Sequence, residues 1–361
     1  MKGHNVANRM NKTYLYYLII MTLTILGLSA AAEEIKDLNF TVSPQPDSDT
    51  SRTLQSMLKI QGTGAFAQDG LYLMTHYGEY QQLYDKENRE MIDRPLIDKT
   101  WRHCSVFSTF TENETFAGRN WDNQTVGSII VSLCYPTNGY ASIAFSRSID
   151  IGFGHKDLLP LASSMFKDKF LLAPFYATDG INEHGLMVAV AGNSYTTVTP
   201  AEGKQCVYLT YLIRKILDGT KTVDEAIKLV MDYVPFDIEQ NSLSSHLMVA
   251  DASGQSVILE YNDNQWKSIY KDTTWQIMTT KPIFKVPDKE LRENCWRYQS
   301  IAETFDKTAG KTDWKGALNV LQDESQIGTA WSVVYCLKSK ELYFSVYKDW
   351  DTVYHLTFPS R

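Results

Sequence analysis

The sequence predicts an α+β fold of layered antiparallel sheets, and three observations predict it. From residue 104 onward, short apolar runs bounded by turn residues follow one another, as the strands of hairpins do. Two pairs of amphipathic helical patterns interrupt them. Strands at both ends with helical pairs between favour packed layers over a repeat or a doubly wound sheet. The composition permits such a body: 361 residues, 43% hydrophobic and 12% aromatic, are ample for one large core or two smaller ones and exclude disorder. Lys plus Arg number 35 against 42 for Asp plus Glu, a net charge of -7. That balance argues against a phosphate-neutralising surface, so nucleic acid is not an expected partner.

Residues 1–32 read as an export signal. Lys2, Arg9 and Lys12 form a basic start, Leu15 to Leu28 is almost purely apolar, and Ser29-Ala30-Ala31-Ala32 supplies small residues before Glu33. Cleavage after Ala32 leaves an acidic exported chain, periplasmic or secreted, with no membrane span. An uncleaved anchor is the alternative, since Thr13 to Ala32 is uncharged and long enough to cross a bilayer. The small-residue exit favours cleavage.

Residues 33–103 read as a pro-segment or small subunit. Glu33 to about Ser51 is polar and carries Pro44 and Pro46, which suggests an irregular leader. Beyond it Leu54, Met57, Leu58, Leu71, Leu73, Tyr77, Tyr80, Leu83 and Tyr84 recur at steps of three and four, so helices are expected throughout.

Residues 104–361 read as the catalytic domain. Strands are expected at Gly127 to Leu133, Tyr140 to Phe145, Gly185 to Ala191, Leu247 to Ala250 and Ser256 to Tyr261, with turns at Asn138-Gly139, Asp179-Gly180 and Ala252-Ser253-Gly254. Helices are expected over Val207 to Leu217 and after Thr222-Val223-Asp224-Glu225, a capping box. Two more follow at Trp296 to Phe305 and Trp314 to Leu321. A final hairpin joins Trp331 to Leu337 with Glu341 to Tyr347.

The chemistry concentrates at Cys104. A strand from Ser105, a turn around Glu112-Asn113-Glu114 and a returning strand bring Arg119 and Asp122 back near this thiol. A guanidinium lowers a thiol pKa, and the thiolate is the attacking species. The bland alternative is a surface ion pair between Arg119 and Asp122 beside a buried cysteine. Cys134, Cys206 and Cys336 sit among apolar neighbours and read as small buried hydrophobes. Five widely spaced cysteines make no disulfide scaffold, and the seven histidines include no H-x-x-x-H pair, so neither metal nor cofactor is expected.

These residues resemble the choloylglycine hydrolase and penicillin acyltransferase group of N-terminal-nucleophile hydrolases, which cut linear carbon-nitrogen amide bonds. Cys104 is followed by Gly118-Arg119-Asn120-Trp121-Asp122, similar to the family's G-R-N-x-D. Gly180-Ile181-Asn182-Glu183-His184-Gly185-Leu186 looks like its G-x-N-E-x-G-L turn and strand, with Asn193 where the family has an oxyanion-hole Asn. Asp251-Ala252-Ser253-Gly254, Leu259-Glu260-Tyr261 and Arg297-Tyr298 continue the likeness to the C-terminus. Met278-Thr279-Thr280-Lys281-Pro282 departs from it: Thr280 stands where the family commonly has Asn, and is a candidate substrate contact.

The resemblance implies a four-layer αββα sandwich and a reaction. Cys104 becomes the N-terminus when residues up to His103 are cut away, its α-amino group accepts the thiol proton, and an acyl thioester forms and is hydrolysed. It assigns Asp122 to the amine, Arg119 to the thiol, Asn193 to the oxyanion and Arg297 to the site. The partner is a small acyl amide such as a conjugated bile acid, penicillin V, an N-acyl amine or an acyl-homoserine lactone; a homo-oligomer is compatible with all of this. Two rival readings stand: a papain-like hydrolase pairing Cys104 with His184 or His246, and an exported binding protein with an inert thiol.

Overall fold

The computed structural model describes residues 34–42, 48–60, 69–93, 103–123, 127–237 and 242–359. The expected export signal lies outside them. Ahead of Cys104 come β1 (Glu34–Asp37), α1 (Asp49–Gln55), β2 (Leu58–Ile60), β3 (Leu71–Gly78) and α2 (Gln81–Asp93). After it come β4 (Ser105–Phe110), β5 (Thr115–Asp122), β6 (Ile129–Pro136), β7 (Ser142–Arg147), α3 (Leu159–Ala162) and a 3₁₀ stretch (Lys167–Tyr176). β8 (Asp179–Asn182), β9 (Met187–Thr197) and β10 (Gln205–Tyr208) lead to α4 (Leu209–Gly219) and α5 (Val223–Val230). β11 (Tyr233–Phe236), β12 (Ser242–Ala250), β13 (Ser256–Asn262), β14 (Gln265–Tyr270) and β15 (Trp275–Met278) follow. The chain closes with α6 (Asp288–Asn294), α7 (Trp296–Thr308), α8 (Trp314–Asp323), β16 (Thr329–Cys336), β17 (Glu341–Val346) and β18 (Thr352–Thr357).

Two sheets form the body among the described residues. One runs β1-β18-β17-β16-β5-β4-β15 and the other β14-β13-β12-β9-β8-β7-β6-β3-β2. Most neighbours in them are antiparallel; β1 with β18 and β3 with β6 are parallel. Their facing sides meet through aromatics: Trp121 of β5 stacks on Trp331 of β16 at 5.2 Å, and Phe145 of β7 lies 5.9 Å from Trp331 and 5.2 Å from Phe344 of β17. Helices cover the outer sides. Phe305 of α7 packs edge-on against Phe107 of β4, while Tyr211 of α4 stacks on Phe175 beneath the second sheet. This is the α+β, αββα layering that the sequence and its resemblance predict.

The strands and helices expected after Cys104 are present with small shifts of boundary. Thr222 caps α5, its hydroxyl accepting from the Glu225 N–H at 3.2 Å. The Glu225 carboxylate accepts from Lys221 N–H at 2.7 Å, one residue ahead of the expected return contact. Asp179-Gly180 is not a turn but the start of β8. An added Cβ on Gly180 would lie 2.5 Å from the Ile143 carbonyl oxygen, so this glycine serves close strand approach.

The reading of residues 33–103 as helical needs correction. Leu71–Gly78 is a strand, buried along nearly all its length and paired in parallel with β6 over eight residues. A strand buried on both faces reads as a continuous apolar run, and such a run imitates a helix stripe. The polar leader is ordered in two places: β1 pairs with β18, and Ser48 caps α1 by accepting from Ser51 N–H.

Candidate active site

Strand period decides what the motif can do. β4 and β5 pair in register, Ser105 with Asn120 and Val106 with Arg119, so the hairpin brings the far end of β5 back beside the cysteine. Along β5, Arg119 and Trp121 face the second sheet, whereas Gly118, Asn120 and Asp122 face the helices. Asn120 shows the latter directly, donating to the Leu321 carbonyl of α8 at 2.7 Å. Arg119 and Asp122 therefore serve Cys104 from opposite sides and do not pair with each other.

Arg119 is fully buried. Its Nη2 lies 3.8 Å from Cys104 Sγ and donates to the Val190 carbonyl at 3.0 Å, and its Nη1 donates to Asp179 Oδ1 at 3.1 Å. Trp121 flanks the guanidinium, 4.5 Å from ring centre to Arg119 Cζ. Asp179 accepts three further bonds, from Thr178 Oγ1 at 2.9 Å, Tyr335 Oη at 2.7 Å and Trp331 Nε1 at 3.3 Å. Burial pushes the Asp179 carboxyl up from its ordinary pKa, and Arg119 with these donors pulls it back.

Asp122 sits on the other side. Its Oδ2 accepts from Gln326 Nε2 at 2.9 Å and lies 3.5 Å from Arg297 Nη1; its Oδ1 accepts from Thr329 Oγ1. Burial raises its pKa, while Thr329, Arg297 and Gln326 oppose the rise. Arg297 reaches further: Nη1 donates to the His103 carbonyl at 2.8 Å and Nη2 to Thr280 Oγ1 at 3.0 Å. Thr280, the expected substrate contact, thus has its hydroxyl engaged by Arg297.

The Cys104 thiol is fully buried, and burial pushes its pKa up; Arg119 pulls it down and Asp122 pushes it up. Arg119 thus acts on the thiol in the expected direction, but in the continuous chain desolvation outweighs this one charge.

Asn193 lies on β9 three residues beyond Val190, the carbonyl partner of Arg119, and its Oδ1 accepts from Ser194 N–H at 2.7 Å. The two histidines of the papain-like reading are engaged elsewhere. His184 meets Tyr140 edge-on, and His246 is buried between Glu260 Oε1 at 2.9 Å and the Thr279 carbonyl at 2.7 Å. Cys134 and Cys336 are buried and Cys206 half-buried; Cys134 lies 3.5 Å from Arg214 Nη1, so it is more than an apolar filler. Among the described residues no His, Cys, Asp and Glu group suits a metal ion, and no helix is long and apolar enough to cross a membrane.

Sequence reasoning missed Asp179, Gln326 and Thr329. Asp179 had a signal, an acidic residue beside a glycine that a buried strand would need; Gln326 and Thr329 carry none.

Comparison with known proteins supports the resemblance. Residues 166–301 match the family model of linear amide C-N hydrolases, choloylglycine hydrolase family. A 128-residue stretch is 34% identical to a penicillin V acylase of Pectobacterium atrosepticum, covering 33% of this chain and 33% of that relative. The aligned stretch thus spans about a third of the relative's length. Among solved structures, a mutant conjugated bile acid hydrolase from Clostridium perfringens superposes with a TM-score of 0.50 at 16% identity, over 71% of this chain and 92% of that one. A penicillin V acylase from Agrobacterium tumefaciens gives 0.48 at 16% identity, over 71% and 86%. The former carries the fold likeness.

Proposed function

We propose that this chain, whose residues 166–301 carry the pattern of the linear amide C-N hydrolases of the choloylglycine hydrolase family, is an amide hydrolase with Cys104 as its nucleophile. The observation that carries the reading is the thiol's setting. Cys104 Sγ lies 3.8 Å from a buried guanidinium that Asp179 holds in place, at the foot of the hairpin bearing Gly118-Arg119-Asn120-Trp121-Asp122.

Among the described residues no side-chain base is hydrogen-bonded to the thiol in the continuous chain, and burial raises its pKa. A cut between His103 and Cys104 supplies a base. The freed α-amino group, with an ordinary pKa of about 7.7–8.0, accepts the thiol proton near neutral pH. Asp122, with Arg297 and Gln326 around it, orients that amine. The thiolate attacks the amide carbonyl, the amine leaves, and water hydrolyses the thioester. Asn193 with a backbone N–H receives the oxyanion.

The segment before the cut stays as a second subunit. β3 lies between β2 and β6, and side chains tie the segment across: Asn88 bridges the Cys206 carbonyl and Tyr208 N–H, and Tyr72 Oη donates to Asp157. Export rests on the basic, apolar and small-residue order of residues 1–32.

The substrate is a small acyl amide of the kind that penicillin V and conjugated bile acids represent. The test incubates purified protein with penicillin V, a conjugated bile acid, N-acyl amino acids and acyl-homoserine lactones. At least one is hydrolysed, and Cys104→Ala abolishes that turnover. Full turnover in folded Cys104→Ala overturns the reading.

A further inference from the structure

One carbonyl in the continuous chain is held unlike its neighbours. His103 extends the ladder on its N–H side, donating to the Asp122 carbonyl at 3.3 Å. Its own carbonyl oxygen accepts from two side chains, Arg297 Nη1 at 2.8 Å and Gln326 Nε2 at 3.2 Å. These donors come from α7 and from the loop between α8 and β16, so two distant parts of the chain converge on one oxygen. Both are themselves braced. Arg297 is buried and gives Nη2 to Thr280 Oγ1, and Gln326 Nε2 also reaches Asp122 Oδ2. A cationic donor and an amide donor fixed on one carbonyl favour the charge that oxygen carries when its carbon is attacked.

We infer that Arg297 and Gln326 form the oxyanion hole for the cut between His103 and Cys104, and that Gln326 is a residue of maturation. The inference rests on the proposed cut and names the groups that make it possible. Cys104 Sγ bonds to the His103 carbonyl carbon, and the oxygen takes the negative charge toward Arg297 and Gln326. The thiol proton ends on the Cys104 nitrogen as the C–N bond breaks. This leaves His103 as a thioester on Sγ and Cys104 with a free amine. Water then hydrolyses the thioester, giving the His103 carboxylate and restoring the thiol, so the net change is one water added across one peptide bond.

The test follows the full chain after a short labelling pulse in cell-free synthesis, reading the cut by mass over time. The parent is cut between His103 and Cys104. Gln326→Ala, and the apolar near-isostere Gln326→Met, are cut at least tenfold more slowly, since loss of one oxyanion donor slows such steps by about 10²–10³. Arg297→Ala is slowed further, having lost the charged donor. Hydroxylamine, which attacks a thioester already formed, does not restore the Gln326→Met rate. Parent-like cutting in folded Gln326→Met overturns the inference while leaving the nucleophile and the cut intact. Slow cutting only in variants that have lost native protease resistance overturns it too. A parent never cut at this bond overturns the maturation reading itself.

Discussion

Arg119 and Asp179 form an ion pair with no exposure on either side chain, joining the two sheets behind the Cys104 thiol at 3.1 Å. Breaking a buried pair from one side strands the other charge, which costs about 3–5 kcal/mol. Asp179→Asn therefore destabilises the fold by that order, seen as a lowered urea midpoint, and slows Cys104 chemistry, because Arg119 loses the partner that aims it. An unchanged midpoint would show the guanidinium compensated elsewhere.

Removal of Arg119 has a direction of its own. Its charge pulls the Cys104 pKa down against burial, so Arg119→Ala moves the thiol further up. The pH dependence of thiol alkylation then shifts to higher pH in folded protein. An unshifted profile removes Arg119 from the site.

His76 gives a pH signature to the segment ahead of Cys104. It lies on β3 opposite Cys134, buried, with Nε2 unpartnered; burial first, then the Arg214 charge, lowers its pKa from 6.5 to about 3. A depressed value means the folded state refuses a proton that the unfolded chain accepts. The stability is thus complete above pH 6.5 and is lost as pH falls toward about 3, by up to roughly 4 kcal/mol. Asp122, Asp179 and Asp218, raised by burial, titrate with opposite sign, so the measurement is the difference between parent and His76→Leu in urea midpoints from pH 7 to 4. A difference independent of pH refutes the buried neutral ring.

Gly118 is needed for packing, not for freedom of backbone. It pairs with Phe107 on β4, and a Cβ there would meet the Phe107 ring at 2.2 Å. Gly118→Ala displaces that ring from Phe305 at a cost of about 1–3 kcal/mol. Adding Phe107→Leu recovers part of the loss in thermal unfolding; strict additivity of the two changes refutes the contact.

Retention of the pro-segment is read on the native protein. After the cut, the piece carrying β3 co-elutes one to one with the piece beginning at Cys104, and separates only in denaturant. Removal of β3 would bare the edge of β6 along eight residues. Elution of the large piece alone under native conditions excludes a second subunit.

The sequence by itself marked Cys104 as the candidate nucleophile and determined the hairpin that returns Arg119 and Asp122 to it and the alternation of strands and helical pairs, because each depends on spacing within a few tens of residues. It could not tell which charge serves which. Odd spacing on β5 sends Arg119 and Asp122 to opposite faces, and their partners arrive from 60 and 175 residues away, Asp179 and Arg297. Gln326 comes from 204 residues beyond Asp122 and has no local mark. The same limit hid β3, whose apolar opening, Leu71 to Met74, fits helix or strand until β6 is beside it. Long-range pairing chooses among states that local propensity leaves close in energy, and only the packed sheets make that choice.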